Sequence, residues 1–164
     1  MNLTVETMRA DDWQAVRLIY QEGLDTGQAT FETDVPSWEV WDGSKHAGCR
    51  LVAKSSQKIV GWAALSPISK REVYAGVAEV SIYVATANWR QGVGKRLLRA
   101  LVKASEQAGF WMLQASVFPE NEASIVLHKA CGFRIVGMRE HIARHHGVWR
   151  DTVILERRSQ LVGI

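Results

Sequence analysis

Trp89 to Arg96 read WRQGVGKR, two glycines set between a strand-like run and a helix-like run, and the organisation of the chain turns on this stretch. Upstream, Val77 to Ala85 read VAEVSIYVA, whose β-branched and aromatic content predicts a central strand. Downstream, Val93, Leu97, Leu98, Leu101 and Val102 recur at helical spacing and predict a helix from Gly92 to Gly109. A glycine turn between strand and helix makes an anion site. First-turn amides point outward with the positive end of the helix dipole, and glycine lets a phosphate approach the backbone. Lys95 and Arg96 add charge beside it. Two familiar phosphate-binding patterns do not fit. A P-loop needs wider glycine spacing and Lys followed by Ser or Thr, whereas Lys95 precedes Arg96; a dinucleotide fingerprint needs a third glycine where Leu97 stands.

Outward from this turn, the elements follow the periods of the sequence. Leu3 to Met8 alternate as a half-buried strand, Asp11 suits a helix cap, and Trp13, Val16, Ile19 and Tyr20 form one apolar stripe that Gly23 would end. Ala29 to Thr33, ATFET, read as loop or short strand. A second helix follows from Ser37, with Trp38 and Trp41 as core or dimer contacts. The runs from Cys49 and Lys58 form a hairpin around Ser55, Ser56 and Gln57. Next come a strand MLQASVF, a helix from Asn121 to Cys131 closed by Gly132, a strand Phe133 to Gly137, and a last strand from about Trp149 to Leu155. Hairpins in the middle and alternation in the second half predict an α/β (α+β) domain with a mixed sheet and helices on its faces.

The 164 residues suit one domain spanning 1–164, and 47% apolar with 23% charged residues of mixed sign argues for a packed core. The net charge of +3 suits an anionic ligand, but the arginines are scattered rather than gathered on a nucleic-acid-binding face. No run is apolar enough to span a membrane, and the N-terminus lacks signal-peptide features, so the cytoplasm is expected. Cys49 and Cys131 lie far apart without metal spacing. His141, His145 and His146, flanked by Arg139, Arg144 and Gly147, predict an exposed hairpin rather than a metal site.

The glycine loop resembles the pyrophosphate loop of the GNAT superfamily of N-acetyltransferases, with two departures. Trp89 stands where that family has Arg or Gln, and Arg90 where close relatives often carry a glycine. Pro119 to Phe133, PENEASIVLHKACGF, resembles the family's second signature, with His128 in place of the usual tyrosine. Asn121 and His128, seven residues apart, share a helix face. The stretches ATFET, GWAALSP, AEVSIYV, HKACGF and GVWRDTVILERR narrow the resemblance to the phosphinothricin, methionine sulfoximine and arsinothricin acetyltransferase-like branch.

The resemblance implies a GNAT fold, a mixed and mostly antiparallel central sheet with helices on both faces, and a homodimer. It implies acetyl-CoA as cosubstrate, no metal, and direct transfer to the α-amino group of a phosphinothricin-like amino acid. Backbone amides of Ile82, Tyr83 and Val84 would hold the pantetheine and polarise the thioester. Arg90, Gln91, Gly92, Val93, Gly94, Lys95 and Arg96 would hold the pyrophosphate, and Asn121 and Ser124 would contact the pantetheine arm. Glu79 would be the general base, and His128 the acid that meets the departing sulfur or a relay. Phe31, Lys70, Arg71, Tyr74 and Ser81 would form the acceptor pocket.

The residues themselves leave alternatives. A carboxylate within an apolar strand is costly unless paired or functional, so Glu79 is either a base or one half of a salt bridge. Cys131, at a helix end among apolar residues, reads as structural rather than as a nucleophile. The same fold with another acceptor (a protein or peptide N-terminus, a polyamine, an aminoglycoside) and a non-catalytic coenzyme A-binding module are the competing readings.

Overall fold

Val60 to Leu65 are buried on both faces, so the strand carrying them, β3 (Lys58–Pro67), must lie inside a sheet covered on both sides. The computed structural model, which describes residues 2–164, shows this arrangement. Seven strands run in the order β1 (Leu3–Thr7), β2 (Arg50–Ser55), β3, β4 (Val77–Val84), β5 (Met112–Val117), β7 (Val148–Arg158) and β6 (Arg134–His145). Every neighbouring pair is antiparallel except β4 and β5, which are parallel. The mixed α/β fold and the central position of Val77–Val84 agree with the sequence reading.

Alternation divides the core in two. Trp62 and Ala64 join Trp13, Val16, Ile19 and Tyr20 of α1 (Trp13–Asp25) and Trp41 of α2 (Trp38–Ser44) on one face. Ala63 and Leu65 join Val93, Leu97, Leu98 and Leu101 of α3 (Val93–Gln107) on the other, with α4 (Glu122–Ala130) packed beside α3. Trp38 and Trp41 stack at 5.9 Å, and both lie against Trp13, so the second helix spends its tryptophans on this core.

Several boundaries differ from expectation for local reasons. α1 opens on a 3-10 turn in which Asp12, not Asp11, accepts from the Arg9 amide at 2.8 Å. Gly23 lies inside α1 rather than ending it; a Cβ there would fall 2.5 Å from the Tyr83 ring, so glycine admits that ring. Ser37 Oγ accepts from the Val40 amide at 3.3 Å and caps α2. Ala29 to Thr33 form no regular element. β6 continues to His145 and β7 begins at Val148, because a break in their register hides the alternation that a strand normally shows.

Candidate active site

The parallel pairing of β4 with β5 is short: Val77 with Met112, Ala78 with Leu113, Glu79 with Gln114, and then it stops. β4 continues to Val84 against β3 alone, while β5 continues to Val117 against β7. Central strands that separate expose facing edges; one cavity occupies the gap and a second adjoins it. One, of about 270 Å³, runs between Val80–Tyr83 and Ala115–Val117 and is also lined by Asn121, the cap of α4, and by Ser124 and His128 of that helix. The other, of about 300 Å³, is lined by Phe31, Phe118, Arg139, Ile142 and Thr152. Glu79, the last paired residue, lines both, as do Ala29, Thr30, Glu32 and Ser116. No ion pair involves Glu79 among the described residues, so the salt-bridge alternative is not what the structure shows.

α4 delivers its polar side chains to the first cavity by helical geometry. Asn121 Oδ1 accepts from the Ser124 amide at 3.2 Å, a helix cap, while its Nδ2 donates to the Gln28 carbonyl at 3.3 Å. His128, one turn past Ser124, places Nδ1 2.7 Å from the Ser124 carbonyl. A carbonyl only accepts, so Nδ1 carries the hydrogen and Nε2 keeps a lone pair. Nε2 is buried without a protein partner. Burial holds the imidazole below its ordinary pKa, opposed by the bond to Ser124. A neutral ring with a bare Nε2 accepts protons or hydrogen bonds.

The glycine loop explains both of its departures. Arg90 has φ 61°, the left-handed region, which is why a glycine suits that position and why arginine there carries strain of about 1–2 kcal/mol. Trp89, half exposed, donates Nε1 to the Val84 carbonyl at 2.9 Å, tying the loop to the end of β4. Gly92 has φ 81° and opens α3, whose N-terminus no side chain caps. A Cβ at Gly94 would lie 3.1 Å from Leu127, so glycine lets α3 and α4 pack closely. Val93 is buried in the core, Gln91 folds back onto the Ala87 carbonyl at 3.4 Å, and Lys95 and Arg96 are exposed. Ile82 and Tyr83 line the first cavity. The Tyr83 ring stacks on Trp62 at 4.9 Å, and burial pushes its hydroxyl pKa well up.

The acceptor side departs further from expectation. Phe31 lines the second cavity, edge-on to Phe118 at 4.9 Å, and Ser81 lines the first. Lys70, Arg71 and Tyr74 line neither cavity; they are exposed, with the Arg71 guanidinium stacked 5.5 Å from the Tyr74 ring centre. The cations present are Lys45 and Arg139. Lys45 donates to Ser66 Oγ at 3.0 Å and Ser81 Oγ at 3.4 Å. Burial holds its ammonium pKa below the usual lysine range, against the pull of Glu79 and Glu32. Lys45 follows a short helix and Arg139 sits in an irregular strand, and no motif marks either. His145, expected on an exposed hairpin, is 5% exposed, 5.8 Å from Phe118 and 6.1 Å from Phe31. Among the described residues no group of three or more His, Cys, Asp or Glu is placed to hold a metal.

The profile of the acetyltransferase (GNAT) family matches residues 13–133, ending before β6. The chain is 34% identical to phosphinothricin N-acetyltransferase of Alcaligenes faecalis, over 94% of this chain and 81% of that one. It is 24% identical to L-methionine sulfoximine/L-methionine sulfone acetyltransferase of Pseudomonas paraeruginosa, over 95% and 94%. It superposes on the phosphinothricin acetyltransferase of Sinorhizobium meliloti in complex with AcCoA with a TM-score of 0.86 and 28% identity, covering 99% of this chain and 91% of that one.

Proposed function

Because the chain belongs to the acetyltransferase (GNAT) family, we propose that it transfers the acetyl group of acetyl-CoA to the α-amino group of a small amino-acid analogue, with Glu79 as general base. The observation that carries this reading is the position of Glu79 where the two central strands part, on the wall common to both cavities. The residues present fit the coenzyme. The uncapped first turn of α3, with Gly92 beneath it, suits a pyrophosphate, and the unpaired edge of Val80–Val84 suits the amides of a pantetheine arm.

Acetyl-CoA, when bound, supplies an acetyl group activated as a thioester. Glu79 then takes a proton from the acceptor's ammonium, directly or through a water, leaving a nitrogen lone pair free to attack. Backbone amides of Ile82 to Val84 orient the carbonyl. His128, neutral and with Nε2 bare, would take the second proton, which the nitrogen sheds as the amide forms and the C–S bond breaks, and relay it to the departing thiolate. A volume of about 300 Å³ stands at the lower end of small-molecule sites, roughly 300–1,000 Å³, and favours an acceptor of amino-acid size over a peptide. Glu32 and Glu79 both favour a cationic amine there.

The same reading extends to assembly and place. β6 is an edge strand, and Ile135, Val136, Met138, Val148 and Trp149 leave an apolar surface on β6 and β7, which a second copy would cover. Sedimentation velocity at micromolar concentration tests this homodimer; a single monomeric species removes it. No helix is long and apolar enough to cross a membrane, and both cysteines are free, which supports a cytoplasmic location.

Coenzyme A thiol release tests the reaction, with phosphinothricin, methionine sulfoximine, methionine sulfone, ordinary amino acids, a polyamine and a peptide N-terminus measured side by side. Turnover concentrated on the amino-acid analogues is expected, and a flat response or a preference for the peptide would overturn the acceptor class. Glu79→Gln should lower kcat about 10²- to 10⁴-fold and leave coenzyme affinity near wild type. Full activity in that variant would discard Glu79 as the base.

A further inference from the structure

We infer that Arg139 selects acceptors bearing an anion on the side chain, and that a bulge in β6 is what aims it into the acceptor cavity. The inference rests on the activity proposed above. In a regular strand, residues three apart point to opposite faces, yet Arg139 and Ile142 line one cavity. The register accounts for this. Arg139 stands opposite Thr152 and Ala143 opposite Arg150, so Glu140 to Ile142 face Asp151 alone. His141 is turned to φ 47°, and its amide donates to Asp151 Oδ1 at 2.7 Å, pinning the extra residues in place. Thr152, directly across from Arg139 and buried, lines the same cavity.

The guanidinium of Arg139 has no ion pair or hydrogen bond among the described residues, whereas Arg50, Arg134, Arg150 and Arg157 each pair with a carboxylate. It is the one cation among the residues lining this cavity, which also carries the carboxylates of Glu32 and Glu79. An α-amino acid whose ammonium meets Glu79 would offer its side-chain end to a free planar fork, the geometry that grips a carboxylate or phosphinate through two hydrogen bonds. A neutral sulfone can accept hydrogen bonds from the same fork but brings no charge to it.

The test compares phosphinothricin, whose side chain ends in a phosphinate anion, with methionine sulfone, which is neutral there, in wild type, Arg139→Gln and Arg139→Lys. Arg139 is exposed on its strand, so an unchanged melting curve is expected for both variants. Arg139→Gln should cost roughly 10- to 100-fold in kcat/KM for phosphinothricin, chiefly through KM, and less than about 3-fold for methionine sulfone. Arg139→Lys should recover part of the loss, because it keeps the charge without the fork. Equal losses on the two acceptors, or no loss on either, would overturn the inference while the activity stands. Wild-type silence on both acceptors would instead overturn the activity and this inference with it.

Discussion

His128 shows how much one hydrogen bond decides at the scale of a residue. The Ser124 carbonyl takes the Nδ1 hydrogen, so the nitrogen left inside the protein is a bare acceptor, and charging the ring means placing a cation among buried groups. Burial lowers its pKa. His145 is also held low, by burial first and then by the charges of His146 and Arg150. The unfolded chain, with imidazoles near 6.5, therefore binds more protons than the native state between that value and the lower native ones. Stability rises with pH across this window and is lost as pH falls below about 6.5. Melting curves between pH 7.5 and 5 should show a falling Tm, with a shallower slope in His128→Asn; an unchanged slope would mean that His128 is charged in the native state. The sequence marks His128 as a group that shares a helix face with Asn121. It does not mark the tautomer, because that depends on which carbonyl the turn of α4 brings beneath the ring.

At the scale of elements, the junction of β4 and β5 depends on Gly76. Its carbonyl accepts from the amides of Trp111 at 2.8 Å and Met112 at 3.1 Å, and a Cβ would fall 2.0 Å from the Trp111 ring. Gly76→Ala should therefore destabilise by about 1–3 kcal/mol, a Tm drop of about 2–4 °C per kcal/mol, and weaken coenzyme binding by shifting β4. Thermal melts with coenzyme A titrations check this; an unchanged Tm would show that the indole swings aside. Most elements were legible because their periods are clean: the stripe of α3 and the β-branched run of β4 each bury one set of side chains. The alternation of β6 predicts a shorter strand than the fold holds, because Glu140 to Ile142 interrupt it. Gly23 read as a helix end because the ring it makes room for, Tyr83, comes from a distant strand.

At the scale of the molecule, Arg150 fastens β7 to the loop after α1. It donates to the Gly27 carbonyl at 2.8 Å and Gln28 Oε1 at 2.7 Å, reaches Glu120 at 3.3 Å, and lies 3.7 Å above the Phe118 ring centre. That loop carries Ala29, Thr30 and Glu32, which line both cavities, and Phe31, which lines the second. Arg150→Ala should raise the acceptor KM about tenfold, the loss of hydrogen bonds worth about 1.5 kcal/mol, with coenzyme affinity little changed. Steady-state kinetics in both substrates separates these effects, and an equal rise in both would contradict the assignment. Legibility follows the same division. The coenzyme side, as proposed, is built from two contiguous stretches, Val77–Arg96 and Asn121–His128, whose spacing is visible along the chain. The acceptor side gathers Phe31, Lys45, Arg139 and Thr152 from four separate segments, which only the folded sheet brings near Glu79.

Three residue pairs alone join β4 to β5. The parting of β4 from β5 is thus a seam across the sheet. β6 and β7 give Arg139, Ile142 and Thr152 to one cavity and nothing to the other, so a change on these two strands can reshape that one room and leave its neighbour's walls as they were.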